Sequence, residues 1–535
     1  MKKTGKKLLA LLLALMMLAC AVPFSASAEQ IEDNLFKDDG FYYELKHEYE
    51  LRLATSAIIT GCDETVTGEV VIPSTIGGYP VSSVRPSAFC DRKDITKVTL
   101  SDGVVWRGDC TEAYRNDESN WEDGVLYYQT CLLDAKGLVG EYKVKEGTIT
   151  IAEHAFSRYP LNVGNDELTS LILPDSVKNI EAYAIICDNL ENLDLGDGVE
   201  EIWGEAGIMC PKLKSIVIPE SIEYIGWYAL NCKSLENITL PDKAFYLIYE
   251  AFEGTTYYKN EDNWDNGALY IGNHLVAVDP EKFRDSTFVV RDGTVGIAGY
   301  AFKNVDSVET IKIPDSVKFI SPGAFAGCTS LRKVDLPKDV SSIFWETYAA
   351  CTSLVNIEIP GNIKFVGSNS FMVCQSLLSV KFLDGVSTIG DGAFQYCTAL
   401  NDVSIPDSVK YIGEAAFYNC PNLKKVAIPA SVETIGVYAL GYYAPDEDSE
   451  SDEDFIKMDD FTIYGHKGTA AEKYAIENGF AFVDLDAKEE PVNPSEGCPC
   501  RCHKGGFENF IYKFLRIFWR LFRTHEFCEC GVKHY

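Results

Sequence analysis

Five cysteines, Cys328, Cys351, Cys374, Cys397 and Cys420, stand 23 residues apart, and Cys187, Cys210 and Cys232 extend the ladder at spacings of 23 and 22. A fixed period of this size is the mark of a chain built from stacked structural repeats. The rest of the repeat keeps time with the cysteines. A leucine follows each by three residues (Leu331, Leu354, Leu377, Leu400, Leu423, and earlier Leu190, Leu213, Leu235). A β-branched residue sits at the sixth place (Val334, Ile357, Val380, Val403, Val426), and another apolar residue two later (Leu336, Ile359, Phe382, Ile405, Ile428). Pro337, Pro360, Pro406 and Pro429 come next, with Leu383 as the exception. A second stretch reads Ser-Val-x-x-Ile-Gly-x-x-Ala-Phe, as over residues 408–417.

The spacing has a direct physical meaning. Leu-x-x-Val-x-Ile ends in alternation, so its apolar residues face inward from a short strand. Proline ends that strand because it has no N–H for the ladder. Ala-Phe returns apolar bulk to the core from the opposite wall. One such coil cannot bury its own apolar face, but stacked coils can.

Two segments break the rhythm. Residues 120–127 (Asn-Trp-Glu-Asp-Gly-Val-Leu-Tyr) and 263–270 (Asn-Trp-Asp-Asn-Gly-Ala-Leu-Tyr) are near copies. Asp-Gly and Asn-Gly between apolar runs signal hairpins, so two hairpin-bearing inserts are expected near 111–146 and 255–292, kept within the solenoid. Trp121 and Trp264 are either packed over these hairpins or exposed for binding; the packed reading fits the usual burial of large aromatics.

Ile-Pro-x-Ser-Val and Ala-Phe-x-x-Cys-x-x-Leu, as over residues 313–317 and 324–331, resemble the BspA-type leucine-rich repeats of bacterial surface proteins. The likeness covers roughly residues 69–483. It implies a leucine-rich repeat solenoid, right-handed, curved and mostly β with short helical turns. The expected organisation is a signal peptide over 1–28, an N-terminal cap region over 29–68 and the solenoid over 69–444. An acidic loop and C-terminal cap follow over 445–484, then a linker over 485–497 and a Cys/His-rich tail over 498–535. Within the cap, residues 470–478 read as a helix stopped by Gly479, with a strand after it.

Charge separates the parts. The chain totals −32, yet residues 29–497 alone carry −40, and each end carries +4. An acidic body argues against nucleic acid as a partner. Lys2 to Lys7, the apolar run Leu8–Leu18 and Ala26-Ser-Ala28 form the pattern of a secretory signal. The acidic run from residue 445 lacks the glycine and terminal glutamate of an EF-hand loop and reads as a solvated loop.

No catalytic constellation is visible. The histidines outside the tail sit singly in different parts of the chain, and no Gly-x-Ser-x-Gly, His-Glu-x-x-His, P-loop or dinucleotide motif occurs. A curved solenoid instead offers an extended concave face. Its outward strand residues include Thr310, Lys312, Lys333, Asp335, Asn356, Glu358, Ser379, Lys381, Asp402 and Ser404, mixed in sign and without an aromatic stripe. This pattern favours recognition of an extracellular protein over stacking on a sugar, though a plain solvated face explains it equally well. A second column, Tyr183, Tyr228, Tyr300, Tyr348 and Tyr438, precedes the repeat alanine; packing between repeats accounts for it as well as binding does. The ladder thiols are expected to be buried beside loop backbone rather than paired as disulfides.

The tail is a separate device. Cys498, Cys500, Cys502 and His503 precede, and Cys528, Cys530 and His534 follow, a stretch of helical periodicity over 507–523. Phe507, Phe510, Ile511, Phe514, Leu515, Phe518, Leu521 and Phe522 fall on one side of it, and Lys513, Arg516, Arg520 and Arg523 on the other. Such a short amphipathic helix suits an anionic membrane surface or a partner's groove. Three readings of the Cys/His set stand side by side: a zinc or other thiolate-bound metal site, a disulfide-closed loop, and a retention tag. The tail also resembles a C-terminal segment of assorted secreted proteins of anaerobic gut bacteria, which implies surface attachment. The expected function is therefore a secreted or surface-displayed binding protein, not an enzyme, that recognises an extracellular protein or polysaccharide and is retained at the cell surface by its tail. The alternatives are an enzyme or enzyme-associated module acting on extracellular polymer, and a structural stalk.

Overall fold

The computed structural model describes residues 29–32, 35–47, 54–158, 163–165, 167–334, 336–444 and 455–487. The signal segment, the acidic run over 445–454 and the whole Cys/His-rich tail lie outside the described residues. The chain forms two compact units, residues 1–483 and 484–535, and only residues 484–487 of the second are described.

The first unit is a mostly-β solenoid. Each coil contributes a longer strand from its Leu-x-x-Val-x-Ile stretch and a two-residue strand from its Ile-Gly stretch. The longer strands form parallel ladders, as in Asn356–Ile359, Ser379–Phe382, Asp402–Ser404 and Lys425–Ala427. The short strands form another, through Ser342–Ile343, Phe365–Val366, Thr388–Ile389, Tyr411–Ile412 and Thr434–Ile435. Partners in both ladders are 23 residues apart, so equivalent side chains stack coil upon coil. The third wall is bonded too: Phe371 N–H donates to Ala393 O at 2.8 Å, Phe394 N–H to Ala416 O at 2.8 Å, and Phe417 N–H to Ala439 O at 2.9 Å.

The core follows from this register. Phe302, Phe325, Tyr348, Phe371, Phe394 and Phe417 form one buried column with ring centroids 5.0 to 5.3 Å apart. Aromatic contacts of this kind add about 0.5–1.5 kcal/mol each beyond burial. Beside them run the ladder cysteines. Cys351, Cys374, Cys397 and Cys420 each donate the thiol to the carbonyl of the aromatic residue one coil back, at 3.2–3.3 Å. That carbonyl also accepts the N–H of its own coil's cysteine at 3.3 Å. The twelve described cysteines are free thiols, and burial pushes Cys420 up to about 12. The cysteines therefore lace one coil to the next without a covalent bond, as small, soft residues that fit against backbone.

Tyr348 departs from the column in which the sequence pattern groups it. Tyr183, Tyr228, Tyr300 and Tyr438 sit at a left-handed backbone position. Tyr348 lies two residues further along its own coil, where Glu346 takes the left-handed position, and its ring belongs to the core stack. The immediate Tyr-Ala sequence is the same, but the coil's register decides which wall the ring faces. Its hydroxyl is buried with no protein hydrogen-bond partner.

The residue before each of the five cysteines from Cys328 to Cys420 also adopts a left-handed conformation: Gly327, Ala350, Val373, Tyr396 and Asn419 have φ between 56° and 75°. Glycine takes this shape freely, whereas a β-branched valine does not. The conformation is held because each of these N–H groups reaches the next coil, as from Val373 to Gln395 O at 2.8 Å.

Each insert is a three-stranded antiparallel meander, Trp121–Glu122, Val125–Tyr128, Cys131–Ala135 and Trp264–Asp265, Ala268–Ile271, His274–Val278. Its third strand pairs in parallel with the next coil. The Asp123-Gly124 and Asn266-Gly267 turns have positive φ at both positions, which suits a tight hairpin. Trp121 and Trp264 are half-buried, and each donates its indole N–H at 2.8 Å to a carbonyl of the short helix before it. Antiparallel strands over Leu35–Asp38, Phe41–His47 and Ala54–Cys62 precede the first coils. At the far end, helix Ala470–Asn478 stops at Gly479 (φ 66°), and strand Ala481–Asp484 follows.

Two substitutions test this account of strain and satisfaction. Val373→Asn should raise stability by about 1 kcal/mol, because asparagine tolerates the left-handed region that valine resists. Tyr348→Phe should gain a similar amount, about 1 kcal/mol, by removing a buried hydroxyl that bonds to nothing. Urea midpoints of the two variants against the parent check both; a fall in either midpoint contradicts the corresponding reading.

Candidate functional site

The longer-strand ladder presents its outward residues in rows. Alternation sends Val380 and Phe382 into the core and leaves Ser379 and Lys381 outside. The parallel register then aligns Asn356, Ser379 and Asp402 in one row and Glu358, Lys381 and Ser404 in another. Thr310 lies beside Lys333, and Lys312 beside Val289. Lys312, Lys333, Asn356, Glu358, Lys381, Asp402 and Ser404 are exposed, while Thr310 and Ser379 are half-buried. Asp335 lies outside the described residues, as do Cys498, Cys500, Cys502, His503, Cys528, Cys530, His534 and the stretch 507–523.

Contacts within the rows are few and cross from coil to coil. Ser379 Oγ donates to Asn356 Oδ1 at 2.7 Å, and Lys381 Nζ meets Glu358 Oε2 at 2.7 Å. Both side chains of the ion pair are more than half exposed, at 58% and 55%, so solvent screens the pair and its contribution to stability is small. The face is thus a hydrogen-bonded strand floor carrying mostly exposed polar side chains.

The other ladder carries an aromatic row that the sequence pattern did not reveal. Trp203, Tyr224, Tyr246, Phe319 and Phe344 follow one another with ring centroids 4.9 to 6.2 Å apart. The readable signal was an aromatic directly beside the inward residue of a short strand, as in Tyr224-Ile225, Tyr246-Leu247 and Phe319-Ile320. The insert over 255–292 separates the members in sequence and hides the row. Arg107 lies 5.0 Å over the Trp203 ring, paired with Glu201 and donating to Asn179 Oδ1 at 2.8 Å.

The isolated histidines have structural surroundings. His274 is buried with Nε2 3.0 Å from Pro241 O, and burial lowers its pKa, favouring the neutral ring. His154 stacks on Tyr183 at 5.2 Å. Among the described residues, no group of three or more His, Cys, Asp or Glu is arranged to hold a metal ion, and no helix is long and apolar enough to cross a membrane.

Against known families, the description "BspA type Leucine rich repeat region" matches residues 139–259, 285–398 and 364–460, six copies over more than half of the chain. The chain belongs to the BspA-type leucine-rich repeat family. No curated protein matches it. Among solved structures, it is similar to a leucine rich cell surface protein from Faecalibacterium prausnitzii, at 21% identity over 72% of this chain and 96% of that one, with a TM-score of 0.27. A leucine-rich repeat protein from Eubacterium ventriosum matches at 18% identity over 78% and 98%, with a TM-score of 0.33. The pneumococcal vaccine antigen PcpA matches at 13% identity over 85% and 99%, with a TM-score of 0.27. Membership rests on the BspA-type repeat itself, which the ladders display coil by coil.

Because the strand-face side chains are not structural supports, they are clean probes of binding. Glu358→Gln and Lys381→Met should each change stability by less than about 1 kcal/mol. Urea denaturation checks this; a larger loss would show that the face is part of the fold's support.

Proposed function

We propose that this BspA-type protein is a secreted or surface-displayed binding protein whose longer-strand face recognises an extracellular protein or polysaccharide. The observation that carries the reading is the in-register polar face itself. Exposed side chains of both signs, differing from coil to coil, stand on strands that are paired with their neighbours within two runs, 287–334 and 356–427. Repeat scaffolds of this kind bind through extended surfaces, and varied side chains on an invariant floor supply specificity through charge and hydrogen-bond matching. One similar solved structure is described as a cell surface protein and another as a vaccine antigen, which fits a location outside the cell.

In this reading the segment 1–28 directs export, and the tail over 498–535 retains the protein at the cell surface. The tail does so through a thiolate-bound metal, a disulfide-closed loop or a sorting step, with contact of 507–523 at the membrane surface. The protein is not an enzyme.

Two measurements test the reading. The full mature chain, offered immobilised extracellular-matrix proteins and polysaccharides, should bind one of them saturably and leave it unaltered; release of product would overturn the assignment. Lys381→Glu, which reverses charge in the middle of the face, should weaken that binding about tenfold, the scale of a lost charge pair at an interface. For the tail, a chain ending at Asp486 should appear in the medium rather than with the cells. If the shortened chain still fractionates with cells, the tail is not the anchor.

A further inference from the structure

The short-strand side of the solenoid holds a second cluster that none of the foregoing uses. Trp227 and Tyr228 are 47% and 45% exposed, high for such large rings. Trp227 meets Tyr300 at 6.3 Å, and Tyr300 meets Trp345 at 5.8 Å. Tyr300 is placed by three features. Its backbone is left-handed (φ 56°), its hydroxyl donates to Glu346 Oε2 at 2.9 Å, and its ring lies across the next coil at Gly323, where a Cβ would come within 2.4 Å of Cε1. The coil at 323 is therefore bare so that the ring can span it.

Acidic groups face this cluster. Glu250 is only 8% exposed, and its Oε2 has no hydrogen-bond partner. Its other oxygen is 4.0 Å from Lys303 Nζ, which itself stands 5.2 Å over the Tyr300 ring. The protein thus already holds one ammonium between this aromatic group and a buried carboxylate. The same arrangement, a cation over a ring and beside an acid, recurs at Arg107, Trp203 and Glu201.

We infer that the Trp227–Tyr300–Trp345 cluster, with Glu250 and Glu346, is a second binding site, which takes lysine or arginine side chains of an extended basic protein segment. Charge complementarity selects this occupant. Residues 29–497 carry −40, the carboxylates at the cluster outnumber its one lysine, and a cation there gains both an aromatic face and a charged hydrogen-bond acceptor. A neutral glycan is disfavoured by geometry. A glycan chain running along the cluster would be served by a row of coplanar faces, whereas these rings meet edge to face at 72° and 66°. The site lies on different residues from the longer-strand face, so each can fail without the other.

The test uses the full mature chain and three probes: an extended peptide alternating arginine and glycine, the same peptide with citrulline in place of arginine, and a neutral chito-oligosaccharide. The arginine peptide should bind and change tryptophan fluorescence, and the other two should not. Trp227→Ala, which leaves net charge unchanged, should weaken binding about tenfold, between the exposed and the desolvated cation–π values. Trp227→Phe should retain most of it. Gly323→Ala, with the fold checked by circular dichroism, should weaken binding by displacing Tyr300. The inference is overturned if the citrulline peptide binds equally, if the oligosaccharide binds and is lost with Trp227, or if Trp227→Ala has no effect. It is also overturned if Glu358→Lys on the other ladder weakens the peptide as much as Trp227→Ala does, since the attraction would then be only the general acidic field.

Discussion

Backbone hydrogen bonding between coils 22 or 23 residues apart sets the terms for everything else in this protein. Over residues 342–440 each coil is bonded to the next through the longer strand, the short strand and the Ala-Phe wall. With three sides locked, no coil can rotate or slip by one residue without turning its apolar side chains outward. The lock is strong enough to hold Val373 and Tyr396 in a backbone region they would otherwise avoid. Local preference yields to the ladder because each of these N–H groups would lose its partner in the next coil.

The same register builds the core and the surfaces together. Inward positions stack into columns of aromatic rings, thiols and leucines, and a column of identical residues packs well only because every coil presents it at the same height. Outward positions stack into rows, so residues far apart in sequence become neighbours. Asn356, Ser379 and Asp402 share one row for this reason alone. A surface formed in this way is rigid beneath and variable above, a division that suits recognition. The inserts exploit the same rule. Their meanders feed a third strand into the short-strand ladder that follows, in parallel with the next coil.

The polar longer-strand face and the aromatic short-strand cluster differ in kind. The first has side chains mostly turned to water, with cross-coil contacts too exposed to be structural. The second has a central ring, Tyr300, held by a left-handed backbone, a cleared glycine and a hydrogen bond to Glu346. A site whose parts restrain one another is preorganised, and loses less conformational freedom when a ligand arrives. Two such surfaces on one solenoid would let it engage two chemically different partners.

Much of this was legible in the residues. The cysteine spacing measured the coil; Leu-x-x-Val-x-Ile gave the inward and outward faces, and the Asp-Gly and Asn-Gly pairs marked the hairpins. The helix over 470–478 could be bounded by Gly479. These succeed because alternation, turn chemistry and helix stops are local, acting within a few residues. Tertiary structure alone decided the rest. It moved Tyr348 from the tyrosine column into the core, since its wall depends on its coil's register and not on its neighbours in sequence. It gave the thiols from Cys328 to Cys420 their carbonyls, which belong to the preceding coil. It joined Trp227, Tyr300 and Trp345 across an insert, because proximity in a solenoid is counted in coils, and an insert changes the sequence distance without changing the stack.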